Sequence, residues 1–139
     1  MQETLFIVKP DGVKRGLVGE VLRRIERRGF KLTRLEMRQA DKAILARHYE
    51  DLLEKPFYHQ IERYMMEGPL VVGTFYGPDA VKTWRKTMGV TNPAEADMGT
   101  IRADFAMGPD ENGDMRNVVH GSDSVESAER EINIWFGEG

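Results

Sequence analysis

Apolar positions along the chain fall into runs and stripes that alternate between the strand and helix periods. Leu5, Phe6, Ile7 and Val8 form a short continuous run stopped by Lys9, Pro10, Asp11 and Gly12, which predicts a buried strand ending in a turn. Val18, Val21, Leu22 and Ile25 then recur at helical spacing. Glu20, Arg23, Arg24, Arg27 and Arg28 are turned away from that stripe, and Gly29 sits where a helix-ending glycine belongs. Phe30, Leu32, Leu35 and Met37 predict a second strand whose alternation slips at Thr33-Arg34, as a bulge would make it do. Asp41 is placed to cap a helix with Ile44, Leu45, His48 and Leu52 on one stripe. Lys55-Pro56 interrupts, and Phe57, Ile61, Tyr64 and Met65 make a further helical face.

Gly68-Pro69 introduces LVVGTFY at 70–76, a β-rich segment that predicts a central strand. Gly77-Pro78-Asp79 opens another helix with Val81, Trp84 and Met88 inward. Residues 89–116 show no clear period and are rich in Gly, Pro, Asn and Asp; so long a loop in a compact domain is usually functional. Asn117-Val118-Val119 predicts a brief strand and 121–124 a turn. Val125, Ala128, Ile132 and Trp135 predict a last helix, with Glu131 at the edge of its buried stripe. Strand, helix, strand, two helices, strand, helix, strand and helix in that order indicate the α+β class. The expected architecture is a ferredoxin-like sandwich: a four-stranded antiparallel sheet covered by helices.

The 139 residues, 40% of them hydrophobic, suit one domain spanning 1–139 around a single core. Lys and Arg number 20 against 23 Asp and Glu, a net charge of −3, which argues against a broad nucleic-acid-coating surface and for a few placed cations around any anionic ligand. No cysteine is present, so thiol catalysis, disulfides and Cys metal sites are excluded. No signal peptide precedes the first strand, and no apolar run approaches the roughly 18 residues of a membrane span. The expectation is a cytoplasmic protein with no membrane partner.

Standard phosphate motifs are missing: GVKRG at 12–16 lacks Walker spacing, and no GxGxxG occurs. Three histidines remain. His48 lies on an apolar stripe, where a packed, hydrogen-bonded core histidine is the better reading, and His59 stands on a polar helix among Tyr58 and Gln60. His120 falls where a strand meets a Gly-Ser-Asp turn before a helix, the kind of strand end at which sites gather. Lys9, Arg85, Thr91, Arg102 and Asn117 come from strand ends, a helix and the long loop. Singly each reads as a solvated group or turn residue; together they could hold a polyphosphate that has no Gly-rich cradle. Phe57 after Pro56 could be core, or could offer a flat face to a base.

The stretch NVVHGSDS at 117–124 closely resembles the signature around the phosphorylated histidine of the nucleoside diphosphate kinase family. VKPDGVKRGLVGEV at 8–21, KPFY at 55–58 and TNPAEADMGTIRADF at 91–105 match as well, so the likeness covers essentially the whole chain. The resemblance implies the ferredoxin-like fold and ping-pong transfer of a γ-phosphoryl from a nucleoside triphosphate, mainly ATP, to a nucleoside diphosphate. It also implies Mg²⁺ carried on the nucleotide phosphates rather than by protein ligands, and a homotetramer or homohexamer. By position it makes His120 the nucleophile, with Tyr49 and Glu131 near its ring. Lys9 would bind phosphate and ribose, and Asn117 the ribose. Arg85, Thr91 and Arg102 would hold the β- and γ-phosphates, and Phe57 would stack on the base.

Three departures stand beside the match. The 106–116 loop is longer than in the commoner family form. Met98 and Ala103 replace the Pro and Gly expected around TIRADF, which alters loop stiffness. The chain stops soon after Trp135-Phe136, without the tail many relatives use between subunits. The rival reading is a non-enzymatic ferredoxin-like module that binds nucleotide or RNA. It would require exposed aromatics on central strands and a basic surface, against the aliphatic strands and negative charge found.

Overall fold

A computed structural model describes residues 1–111 and 114–137. Asn112 and Gly113 of the 106–116 loop lie outside the described residues, as do Glu138 and Gly139 at the end of the expected 1–139 span. Four strands, β1 (Gln2–Val8), β2 (Lys31–Arg38), β3 (Leu70–Gly77) and β4 (Val119–Gly121), form one antiparallel sheet in the order β2-β3-β1-β4. That order is the ferredoxin-like one expected. Among the described residues seven α-helices accompany the sheet: α1 (Pro10–Lys14), α2 (Val18–Arg27), α3 (Lys42–His48), α4 (Tyr58–Met65), α5 (Ala80–Met88), α6 (Ile101–Phe105) and α7 (Val125–Phe136).

The continuous apolar run of β1 is explained by burial on both faces. Phe6 and Val8 join Val21 and Ile25 of α2 and Trp84 of α5 on one side. Leu5 and Ile7 join Leu45 of α3, Met65 of α4 and Trp135 of α7 on the other. Helices therefore cover both faces of the central strands, where the rival module would need exposed aromatics, and this counts against it. The bulge expected at Thr33-Arg34 is present as a register shift between Leu32 and Arg34. Beyond it Leu35 and Met37 are not core residues: on this edge strand they are 52% and 60% exposed.

Several predicted elements need correction. Lys9-Pro10-Asp11-Gly12 is not a simple turn, because Pro10 opens α1 from its first position, where its missing N–H costs nothing. The 89–116 stretch holds a 3₁₀ turn at Pro93–Glu95 and α6, each too short to show a period. Arg24 does not face away: it donates to the carbonyl of Gly99 (2.9 Å) and pairs with Asp104, tying α2 to α6. The last strand is Val119–Gly121, so His120 lies within it and Asn117 before it. On α7 the buried positions are Ala128, Glu131, Ile134 and Trp135, while Val125 is exposed. Glu131 is thus inside the stripe and not at its edge. Asp41 caps α3 as expected, accepting from the Ile44 N–H at 2.8 Å.

Candidate active site

His120 is delivered by the β1–β4 ladder. It pairs with Ile7, whose side chain belongs to the α3–α4–α7 face, so the imidazole is sent to the same side. Close approach is possible because the next residue is Gly121; a Cβ there would come within 2.3 Å of the Trp84 ring. On the far side of His120, α7 presents Glu131. Nε2 of His120 lies 2.9 Å from Glu131 Oε1, and the Ser122 hydroxyl donates to that same oxygen at 2.8 Å. Burial pushes the Glu131 carboxyl up, but hydrogen bonding and charge from His120, then His48 and Ser122, outweigh it and leave the group below its ordinary value. An ionised carboxylate only accepts, so Nε2 carries the proton and Nδ1 keeps a free lone pair. Ser122 is a functional neighbour that the sequence signals only by its place inside HGSDS.

His48 is buried and hydrogen-bonded, as expected of a core histidine: Trp135 Nε1 donates to its Nδ1 at 2.9 Å. Its ring also stands edge to face with His120, centroids 4.6 Å apart, and with Tyr49 at the same distance. Tyr49 therefore reaches the His120 ring through His48, and burial with the Glu131 charge drives its hydroxyl well above the usual phenol range.

A cleft of about 380 Å³ is lined by Lys9, Tyr49, Phe57, Tyr64, Thr91 and Asn117. Lys9 Nζ donates to Asn117 Oδ1 at 2.7 Å, and Asn117 Nδ2 to the Thr91 carbonyl at 3.1 Å, so three candidates from distant parts of the chain are bonded in series. Val118, between Asn117 and the strand, takes φ +70°, uncommon for a β-branched residue, and its carbonyl accepts from the Lys9 N–H at 2.7 Å. Phe57 stands at the mouth, 44% exposed. The longer loop supplies Asp114 and Met115 to the wall, and Asp114 accepts twice from Arg63 of α4 at 3.1 Å.

Arg102 is buried beneath this cleft and donates to the carbonyls of Asn117 (3.3 Å), Gly89 (2.8 Å) and Val119 (2.7 Å). Three of the five guanidinium N–H groups are so engaged. Arg85 does not line the cleft; it borders a neighbouring cavity between α5 and the loop at Gly89 and Thr100, close enough for its charge to add to burial in lowering the Arg102 pKa. Burial, then repulsion from Arg102, pulls the Lys9 amine down to about 7, with Asp11 opposing. Burial likewise brings Arg102 to about 10. Cations held at such a cost to their own charge are a site that gains when an anion arrives.

Among the described residues, His48, His120 and Glu131 place one ligand atom each within 4.8 Å of the others. That nitrogen-rich set suits zinc or copper more than Mg²⁺, and His48 Nδ1 and Glu131 Oε1 already have partners. No helix among the described residues is long and apolar enough to cross a membrane.

Residues 2–139 match the family model described as nucleoside diphosphate kinase. A nucleoside diphosphate kinase of Streptococcus thermophilus is 58% identical over 139 residues, covering 99% of this chain and 100% of that one. One from Streptococcus agalactiae serotype V is 55% identical over 136 residues, 98% of this chain and 99% of its own. Among solved structures, the apo enzyme of Encephalitozoon cuniculi superposes with a TM-score of 0.92 at 37% identity, over 99% of this chain and 90% of that one. A transition-state mimic of the Borrelia burgdorferi enzyme with bound vanadate and ADP gives 0.92 at 35% identity, over 99% and 88%.

Proposed function

The chain belongs to the nucleoside diphosphate kinase family, and from that premise we propose that His120 takes up and hands on the phosphoryl group in a ping-pong exchange. The Nδ1 lone pair attacks the γ-phosphorus of a nucleoside triphosphate, mainly ATP. The P–O bond to the β-phosphate breaks and the diphosphate leaves with the bonding electrons. A second diphosphate then attacks the same phosphorus through a β-phosphate oxygen, the N–P bond breaks, and neutral imidazole returns. The observation that carries this reading is the 2.9 Å contact of Nε2 with Glu131, which frees Nδ1 and stabilises the positive charge the ring develops as its bond to phosphorus forms.

Histidine suits an exchange whose two sides are nearly equal in energy. A serine phosphoester would hold the phosphoryl too tightly to return it, whereas a phosphoramidate stays close to the triphosphate anhydride. Neutral imidazole is also nucleophilic near pH 7 without a further base. Lys9, Arg85, Thr91 and Arg102 would hold phosphate oxygens through a loose transition state, Arg102 with the two N–H groups its carbonyl contacts leave over. Asn117 would bind ribose, Phe57 would stack on the base at the cleft mouth, and Tyr49 would support the ring pair behind it. Mg²⁺, which neutralises charge on the transferring phosphates, would arrive on them, since Asp114, which lines the cleft, is already engaged by Arg63.

The same reading places the protein in the cytoplasm, with its nucleotides, as a homotetramer or homohexamer. Support for assembly comes from edge strand β2, whose exposed Leu35 and Met37 beside unpaired backbone offer a surface that a second copy would cover. Exposure to γ-labelled ATP tests the whole proposal. Label should enter the protein, resist alkali, leave in acid, and pass to added GDP; His120→Ala should take up none. Uptake by His120→Ala above about a thousandth of the parent level would overturn it.

A further inference from the structure

α7 touches the candidate nucleophile twice, once directly and once through an intermediary. Glu131 bonds to His120, and Trp135, one turn further along the same face, bonds to His48, which rests on His120. A single hydrogen bond at Nε2 fixes one atom of the ring and leaves it free to tilt about that contact. The His48 ring, 4.6 Å away at 69°, closes off the tilt. We propose that His48 is a positioning residue: held in one tautomer by Trp135, it stands as a neutral wall that sets the orientation of the His120 imidazole for phosphoryl transfer. The inference rests on the reading of His120 as the nucleophile.

The choice of side chain follows from its surroundings. Trp135 is buried, and its indole N–H needs an acceptor, which a phenyl ring in place of His48 would not give. Because Nδ1 accepts, the proton of His48 resides on Nε2 and the ring is uncharged. Neutrality matters here, since an imidazolium against His120 would compete for Glu131 and draw electron density from the attacking nitrogen. Burial first, and then His120, press the His48 pKa down to about 3 against the pull of Glu131, with Arg130 and Lys9 adding to the lowering. Those groups, with Tyr49, are the titratable and charged neighbours that face it. Arg130 also donates to the carbonyls of Arg47 (2.9 Å) and His48 (3.3 Å), fastening the end of α3 to α7.

Two double variants separate wall from filler, because both remove the indole N–H that a lone His48 substitution would orphan. Trp135→Phe/His48→Phe keeps a neutral ring against His120, and Trp135→Phe/His48→Ala removes it. Both are first checked for cooperative unfolding and assayed well below their midpoints. The measurements are the single-turnover rate of His120 phosphorylation, ADP affinity, and the ¹⁵N signals of the His120 imidazole. The phenyl variant should phosphorylate within about threefold of the parent. The alanine variant should be slower by about tenfold to a hundredfold, as for a misplaced reacting group, with ADP affinity within about twofold. Its His120 ring signals should broaden or split as the imidazole samples more than one orientation, while the proton stays on Nε2 beside Glu131. Equal rates and unchanged signals in the two variants would reduce His48 to a core residue. If label from ATP were instead found on another side chain, the reading of His120 would fall, and that result is distinct from either of these.

Discussion

Raising the pH should weaken nucleotide binding through one amine, that of Lys9. Burial and the Arg102 guanidinium, opposed by Asp11, bring its pKa from 10.5 to about 7. A polyphosphate laid against Nζ supplies the opposite charge and restores the protonated form. Well below pH 7 the free protein already holds the proton. Above it each complex must take one up, and affinity falls by up to about tenfold per pH unit until the pKa of the bound state is reached. Between about pH 7 and 9 the loss is roughly fiftyfold, on the order of 2.3 kcal/mol. Stability of the unliganded protein moves the other way. The unfolded chain keeps its proton up to the ordinary value of 10.5 while the folded one has released it, so stability rises across that window. Titration calorimetry with ADP at about pH 8, where the second phosphate ionisation near 6 is complete, should record close to one proton taken up per complex. Lys9→Gln, which cannot titrate, should bind more weakly at neutral pH and approach the parent as the pH rises. A flat affinity from about pH 7.5 to 9 without proton uptake would refute the argument.

Glu131→Gln should slow phosphorylation of His120 by roughly ten- to a thousandfold with little change in ADP affinity, as rapid quench and binding together would report; an unchanged rate would sink the orienting role. Phe57→Ala should weaken ADP, GDP and CDP alike by about 1–3 kcal/mol, and a loss confined to one base in competition binding would mean that recognition is base-specific. Arg102→Met should destabilise even the nucleotide-free protein by about 2–5 kcal/mol, because the buried bonds to the Asn117 and Val119 carbonyls and the half-buried one to Gly89 are lost; chemical denaturation that finds the parent stability would show that those bonds contribute nothing net.

Much of this fold can be read from residue pattern because its signals are local. The unbroken apolar runs at Leu5 and Leu70 mark strands buried on two faces, the slip at Thr33 marks the bulge, and Asp41 marks a cap. What escapes is set by distant partners or by shortness. Thr100 caps α6 through its own hydroxyl, yet five residues hold too little of a period to be noticed. A stripe drawn through Val125, Ala128, Ile132 and Trp135 leaves Glu131 at its edge, whereas the buried face runs through Ala128, Glu131, Ile134 and Trp135. Glu131 is buried only because His120 and Ser122, from the preceding strand and turn, meet it there. The gathering of Lys9, Asn117 and Thr91 is likewise invisible locally, since Lys9 and Asn117 are 108 positions apart. Residue chemistry and family likeness point to each of the three singly; only the fold joins them in a series of bonds.

The pairing of Ile7 with His120 has a consequence for how such a chain can vary. Three successive pairs, Phe6 with Gly121, Ile7 with His120 and Val8 with Val119, fix the position of the histidine against the central strand, and the Lys9 N–H to Val118 bond extends the same ladder. A slip of one residue would turn the imidazole to the face of α5, away from Glu131. An insertion upstream of Asn117 has no such effect, because the added length is taken up before the ladder begins. The position of the imidazole is therefore measured from Lys9 rather than counted along the loop, so that the chain between α6 and Asn117 can vary in length while the imidazole keeps its place against the central strand.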